Sequence, residues 1–192
     1  MRSAEFDREH VLRAAMEAFL AKGYSKTSMQ DLKQATGLHP GSLYCAFTNK
    51  RGLLIAALEH YRAERNAAQQ ALFEQQASAM AGIEAYLDHV ITECEHKQIT
   101  ACLLQKALSE LAQQDEDVEN IIQQMLVEWQ ESLTAHLQLA LDRQEIQSTR
   151  NAEQLAQFLV MGIYGLRTFS YTKPQAGVLR QLGTTLLAAL QQ

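Results

Sequence analysis

Four short runs, Gly23-Tyr24, Thr27-Ser28-Met29-Gln30-Asp31-Leu32, Gly37-Leu38-His39-Pro40-Gly41-Ser42-Leu43-Tyr44 and Phe47-Thr48-Asn49-Lys50, decide how the N-terminal quarter of this chain folds. A helix from about Asp7 to Lys22 precedes them, with Val11, Leu12, Ala15, Phe19 and Leu20 recurring along one face. Gly23 stops it. Thr27 to Gln30 has the spacing of a capping box and opens a short helix to about Ala35. Gly37 ends that helix, and His39-Pro40 begins a third, with proline at a first-turn position where its missing N–H costs nothing. Two short helices joined by a tight turn behind a supporting helix are the arrangement that sets one helix in a DNA major groove.

Met29, Leu32, Leu38, Leu43 and Phe47 are expected to pack with Phe19 and Tyr24 as a small core. That leaves Ser28, His39, Gly41, Ser42 and Tyr44 for the outer surface. Gly41 lets backbone approach DNA, the two serines can donate without bulk, and Lys50 offers charge to a phosphate. By pattern alone these residues fit an ordinary three-helix bundle equally well.

Outward from this region the sequence reads as helix throughout, rich in Ala, Leu and Gln and without an alternating β run. A long helix opens at Asn49-Lys50 and runs to about Gln76. Others are expected at roughly 81–96, 100–112, 117–144, 151–171 and from Pro174 to about Leu190, the last introduced by a second capping box at Thr172 to Gln175. The fold class is therefore all-α, with about nine helices. The expected division is a helix-turn-helix domain at 1–50 and a helical effector and dimerisation domain at 51–192. Glutamine-rich stretches fall within the helical patterns and read as solvated faces.

The chain has 192 residues, 47% of them hydrophobic, with only two prolines. No apolar run approaches the roughly 20 residues a membrane helix needs. The charged start from Met1 to His10 lacks the apolar core of a secretory signal, so a cytoplasmic protein without membrane association is expected. Net charge is −5, but residues 1–50 carry seven basic side chains against five acidic ones. A mildly basic end on an acidic body suits one DNA-facing pole. Cys45, Cys94 and Cys102 leave an odd count and no disulfide framework.

The quoted runs closely resemble the DNA-binding domain of the tetracycline-repressor (TetR/AcrR) family, and the succession of helices is similar to that family over the full length. The resemblance implies phosphate contacts at Tyr44 and Lys50, contacts from Thr27 and Ser28 at the second helix, and base approach by His39 to Ser42. The chain departs from the common form at Cys45 and Ala46, so no base preference carries over. The implied partner is double-stranded operator DNA, bound by a homodimer.

The resemblance places the dimer interface on the last two helices. The first supplies Phe158, Gly162, Gly165 and Phe169, and the second Leu182 and Leu186; by periodicity alone these stripes are equally intramolecular core. It also implies a ligand pocket, for which Phe73, Tyr86, Leu103, Met125, Trp129, Met161 and Tyr164 are candidate linings. The context of Cys102, from Glu93 to Lys106, is similar to that of a sensor cysteine in the electrophile-responsive regulators of N-ethylmaleimide reductase within the same family. Independently, Thr100 would cap a helix whose first turn holds Cys102, and Lys106 one turn on would favour its thiolate. Burial as a core residue is the plainer reading of Cys102, and Cys94 is a candidate resolving partner.

Cys94, His96 and Cys102 match no standard zinc spacing, and no cofactor motif is present, so neither metal nor cofactor is expected. The rival classes are a thiol enzyme and a helical interaction module without DNA binding. Cys94 and His96 diverge on a helix, and neither a phosphate-binding glycine loop nor a G-x-S-x-G elbow occurs. No enzymatic activity is expected.

Overall fold

The computed structural model describes residues 6–96 and 115–191. These form eight helices and, among the described residues, no strand: α1 Arg8–Lys22, α2 Met29–Thr36, α3 Pro40–Phe47, α4 Lys50–Glu74, α5 Ala79–Glu95, α6 Glu116–Asp142, α7 Ala152–Ser170 and α8 Val178–Leu190. The helix expected at 100–112 lies outside the described residues, and with it Cys102, Leu103 and Lys106.

Local chemistry sets most of the boundaries. Asp7 caps α1 by accepting from the His10 amide at 3.0 Å. Gly37 closes α2 at φ 71°, a left-handed conformation that costs a residue with a Cβ about 1 kcal/mol or more. Two expected caps are corrected. The box on α2 is Ser28 with Asp31, one residue later than the Thr27–Gln30 pattern suggested. Helix α8 begins after Gly177 without any side-chain cap, so Thr172 to Gln175 belong to the preceding turn, where Lys173 has a φ of 53°.

The chain divides into two compact units. Residues 6–65 with 115–125 make the first, and 66–96 with 126–191 the second. The described part, 6–50, of the segment expected as a DNA-binding domain at 1–50 lies in the first unit, which continues into α4 and includes the start of α6. Val11, Leu12, Ala15, Met16, Phe19 and Leu20 of α1 are buried there, as are Leu32, Leu43 and Phe47 from the next two helices. Leu53, Leu54, Ala57 and Leu58 of α4 and Val118, Ile122 and Met125 of α6 complete the apolar interior. Three long-range ion pairs accompany it. Arg13 donates to Glu64 at 2.6 Å, and Arg51 forks onto Asp115 and Asp117.

In the second unit α5 packs on α7 and α8, and α7 on α8. Its core includes Ile83, Leu87, Val90, Leu133, Leu137, Leu155, Leu159, Ile163 and Leu190. Glu145 receives the Met80 amide at 2.7 Å and the Ala79 amide at 3.3 Å, satisfying the first turn of α5 from outside its own helix. A Cβ on Gly162 would run into the Leu186 side chain, so α7 and α8 approach as closely as they do because that position is bare. None of the described helices is long and apolar enough to cross a membrane.

Candidate nucleic-acid interface and effector side

Leu43 and Phe47, four residues apart on α3, both point into the first unit and are buried. That orientation turns the other faces of the helix outward. His39, Gly41, Tyr44 and Cys45 are exposed and Ser42 is half-buried; Tyr44 keeps 47% of its surface. The start of α3 is tightly organised. Pro40 occupies the first turn, His39 Nδ1 accepts from the Gly41 amide at 3.2 Å, and the His39 carbonyl accepts from Ser42 and Leu43.

The expected contacts on α2 are placed differently from one another. Ser28 is exposed, but its hydroxyl donates to Asp31 at 2.7 Å and accepts the Asp31 amide at 3.1 Å. Lys22 joins the same carboxylate at 2.5 Å, and these partners hold Asp31 well below the usual carboxylate range. Thr27 is interior, 1% exposed, and donates its hydroxyl to the Gly23 carbonyl at 2.6 Å. It presents no side-chain atom to the surface and instead holds the turn between α1 and α2.

Lys50 is half-buried at the start of α4, its ammonium 4.3 Å from the centre of the Tyr24 ring. Tyr24 in turn leans on Phe19 with centroids 5.7 Å apart. Burial pushes the Lys50 ammonium down from its ordinary value, partly opposed by Asp31. Next to it, Arg51 is held by Asp115 and Asp117, and the guanidinium lowers the Asp115 carboxyl to about 2. Sequence reading found Lys50 but missed Tyr24 as its support and Arg51 as a neighbour tied to the start of α6.

The effector candidates among the described residues fall in both units. Met125 is buried in the first unit. Trp129 and Tyr164 are half-buried in the second, their rings edge to face at 5.7 Å. Phe73 there is buried, stacked on Tyr86 at 6.0 Å and on His136 at 3.7 Å, whereas Met161 is 61% exposed. Trp129 Nε1, Gln69 Nε2 and Arg167 Nε in this unit are buried without an acceptor among the described residues. Gln69 is 8% exposed and corrects the assignment of the glutamines to solvated faces. Its only sequence signal was its place in the register of Phe73, one turn on. Cys94 is half-buried, and burial pushes its thiol up despite the nearby Arg167 guanidinium. Arg167 itself pairs with Glu93 at 3.0 Å.

Of the residues expected at a dimer interface, Gly162 and Leu186 face each other within the chain, and Phe158 is half-buried under the Arg150 guanidinium at 5.1 Å. Phe169 and Leu182 are 41% and 40% exposed, and among the described residues nothing lies within 4 Å of a Cβ placed on Gly165.

Comparison with known proteins agrees with this architecture. Residues 11–57 match the family model "Bacterial regulatory proteins, tetR family", and residues 79–176 match "Tetracyclin repressor-like, C-terminal domain". The chain is 30% identical over 184 residues to the HTH-type transcriptional repressor ComR of Escherichia coli K12, covering 94% of this chain and 88% of the relative. It is 27% identical over 113 residues to the HTH-type transcriptional repressor NemR of the same strain, covering 58% and 57%. Among solved structures, a cysteine-substituted variant of the TetR-family regulator CifR, bound to 26-base-pair operator DNA, superposes with a TM-score of 0.80 at 23% identity, covering 99% of this chain and 98% of that one. The chain therefore belongs to the TetR family of bacterial regulatory proteins, whose members are transcriptional regulators and not enzymes.

Proposed function

We propose that the protein is a repressor that binds double-stranded operator DNA as a homodimer and releases it when an effector acts on the second unit. The observation that carries this reading is the outward face of α3. His39, Gly41 and Tyr44 are exposed above a helix whose inner face is fully committed to the core. Lys50 and Tyr44 supply the phosphate contacts, Gly41 and Ser42 the close approach, and Ser28 an edge contact. Thr27 acts by holding the turn. A single head with so few charged contacts binds weakly, so two heads on one palindrome are required. Phe169, Leu182 and Gly165 form the centre of the pairing surface in this reading, flanked by Phe158, Gly162 and Leu186.

Selection of genomic fragments by the purified protein, followed by titration at several salt concentrations, tests the proposal. A palindromic site should be enriched, with affinity falling steeply as salt rises. Tyr44→Ala and Lys50→Ala should weaken binding without dissociating the dimer. An absence of any enriched sequence would overturn the reading.

Two triggers are proposed. The buried donors Gln69 Nε2 and Trp129 Nε1 favour an effector that carries hydrogen-bond acceptors, since an unpaired buried donor costs about 1–3 kcal/mol until an acceptor arrives. Tyr164 would offer it an aromatic edge. The other trigger is covalent. By the resemblance of its sequence context, the Cys102 thiolate would add through sulfur to an electron-poor double bond, the π bond breaking and the neighbouring carbon taking a proton from water, with Cys94 a second thiol. Either works by preferring a conformation in which the two heads are wrongly spaced for DNA. Cys102→Ser should keep DNA binding and lose release by electrophiles; normal release from that variant assigns control to the acceptor-bearing ligand.

A further inference from the structure

The bond from the Gly41 amide to His39 Nδ1 does more than start α3. A backbone N–H can only donate, so Nδ1 is the acceptor, and a neutral imidazole with an accepting Nδ1 carries its proton on Nε2. The ring is exposed, and Nε2 is the nitrogen farther from the backbone. The backbone of the rest of the first turn has no N–H left to donate. Pro40 has no N–H, the Gly41 N–H is given to His39 Nδ1, and those of Ser42 and Leu43 go to the His39 carbonyl at 2.9 and 3.2 Å. The start of α3 is thus not a cradle of free amides for a phosphate. The donors it can turn outward are side chains, the histidine ring and the Ser42 hydroxyl.

We propose that His39 is a specificity-determining residue of fixed polarity, whose Nε2–H reads a hydrogen-bond acceptor on a base edge and selects guanine. The inference rests on the reading of α3 as the helix that enters the major groove. There, guanine presents two acceptors, N7 and O6, and no donor. Adenine pairs its N7 with an amino donor, thymine offers O4 beside a methyl group, and cytosine offers only an amino donor. A ring locked as a donor discriminates most strongly against cytosine. Bare Gly41 and small Ser42 leave room beside the ring for this approach, and the longer Tyr44 lies one turn further along.

The test uses full-length protein and a random duplex library, comparing wild type with His39→Ser and His39→Ala. Serine preserves the N-cap but lacks the reach, so it separates reading from capping. Wild type should enrich guanine at one symmetry-related position in each half-site. His39→Ser should lose that preference while keeping the others, with an unchanged melting temperature. Replacing that guanine by 7-deazaguanine, which turns N7 into C–H, should weaken wild-type binding about five-fold, the worth of one hydrogen bond, and His39→Ser binding less than two-fold. Identical profiles for wild type and His39→Ser overturn the inference and leave DNA binding intact. So does a uniform loss of affinity with a smaller salt slope, which marks a phosphate contact. Failure of wild type to enrich any sequence overturns the operator reading as well.

Discussion

The Lys50 ammonium rests 4.3 Å above the Tyr24 ring, joining the first residue of α4 to the turn that follows α1. A flexible four-carbon side chain placed this way loses less freedom when it meets a phosphate, because an aromatic face already restrains its charge. Tyr24→Phe keeps that face and should leave operator affinity within about two-fold of wild type. Tyr24→Leu should weaken it about five-fold while the salt dependence stays as it was. Lys50→Ala should lower the slope of log affinity against log salt by about one. Fluorescence anisotropy across a salt series separates the two behaviours.

Arg51 and Asp115 predict an acid dependence. The carboxyl is depressed to about 2 by the guanidinium, whereas an unfolded aspartate titrates near 4. A depressed folded pKa contributes stability above the unfolded value and loses it as pH falls through the folded one. Wild type should therefore be more stable than Asp115→Asn above about pH 5, with the gap closing between about pH 4 and pH 2. Urea unfolding midpoints at successive pH values read this directly. A gap that does not change with pH would remove the ion pair as its cause.

Gly162 and Gly165, on the same helix, should respond in opposite ways to one methyl group. Gly162→Ala meets Leu186, and overpacking of about 1–3 kcal/mol exceeds the gain in helix propensity of about 1 kcal/mol. The melting temperature should fall by about 3 °C. Gly165→Ala meets nothing within 4 Å among the described residues, so the subunit should be unharmed. If this face pairs with a second copy, the dimer should dissociate about ten-fold more readily, a change of about 1.4 kcal/mol. Sedimentation velocity over a concentration series gives the second result, and calorimetry the first.

Cys45 and Cys94 should label at different rates. Cys45 is exposed on α3, while Cys94 is half-buried with its thiol pushed up. Timed alkylation at neutral pH with peptide mapping should show Cys45 modified about ten-fold faster or more. The Cys94 rate should rise as pH is increased, because the thiolate is the reacting form.

Much of this molecule was legible in its local chemistry. Helix starts at Asp7 and His39-Pro40, stops at Gly23 and Gly37, and the inward pair Leu43 and Phe47 depend on neighbours within four or five residues. Thr27 and Ser28 show where that ends. Adjacent hydroxyls fit the same cap pattern, and burial of one makes the other the cap. Pro174 looked like a helix start, yet the chain turns on through Lys173 and Gly177 before α8 begins.

What the sequence determined by itself is the reading head: an all-helical N-terminal turn with Tyr44 facing out and Lys50 at the start of the next helix. Only the tertiary structure decided how that head is held. Tyr24 lies beneath Lys50, Arg51 reaches Asp115, and Leu186 fills the gap at Gly162. The physical reason is separation along the chain. Helix periodicity and caps act between near neighbours, whereas these pairs lie 24 to 64 positions apart, and only packing brings them together.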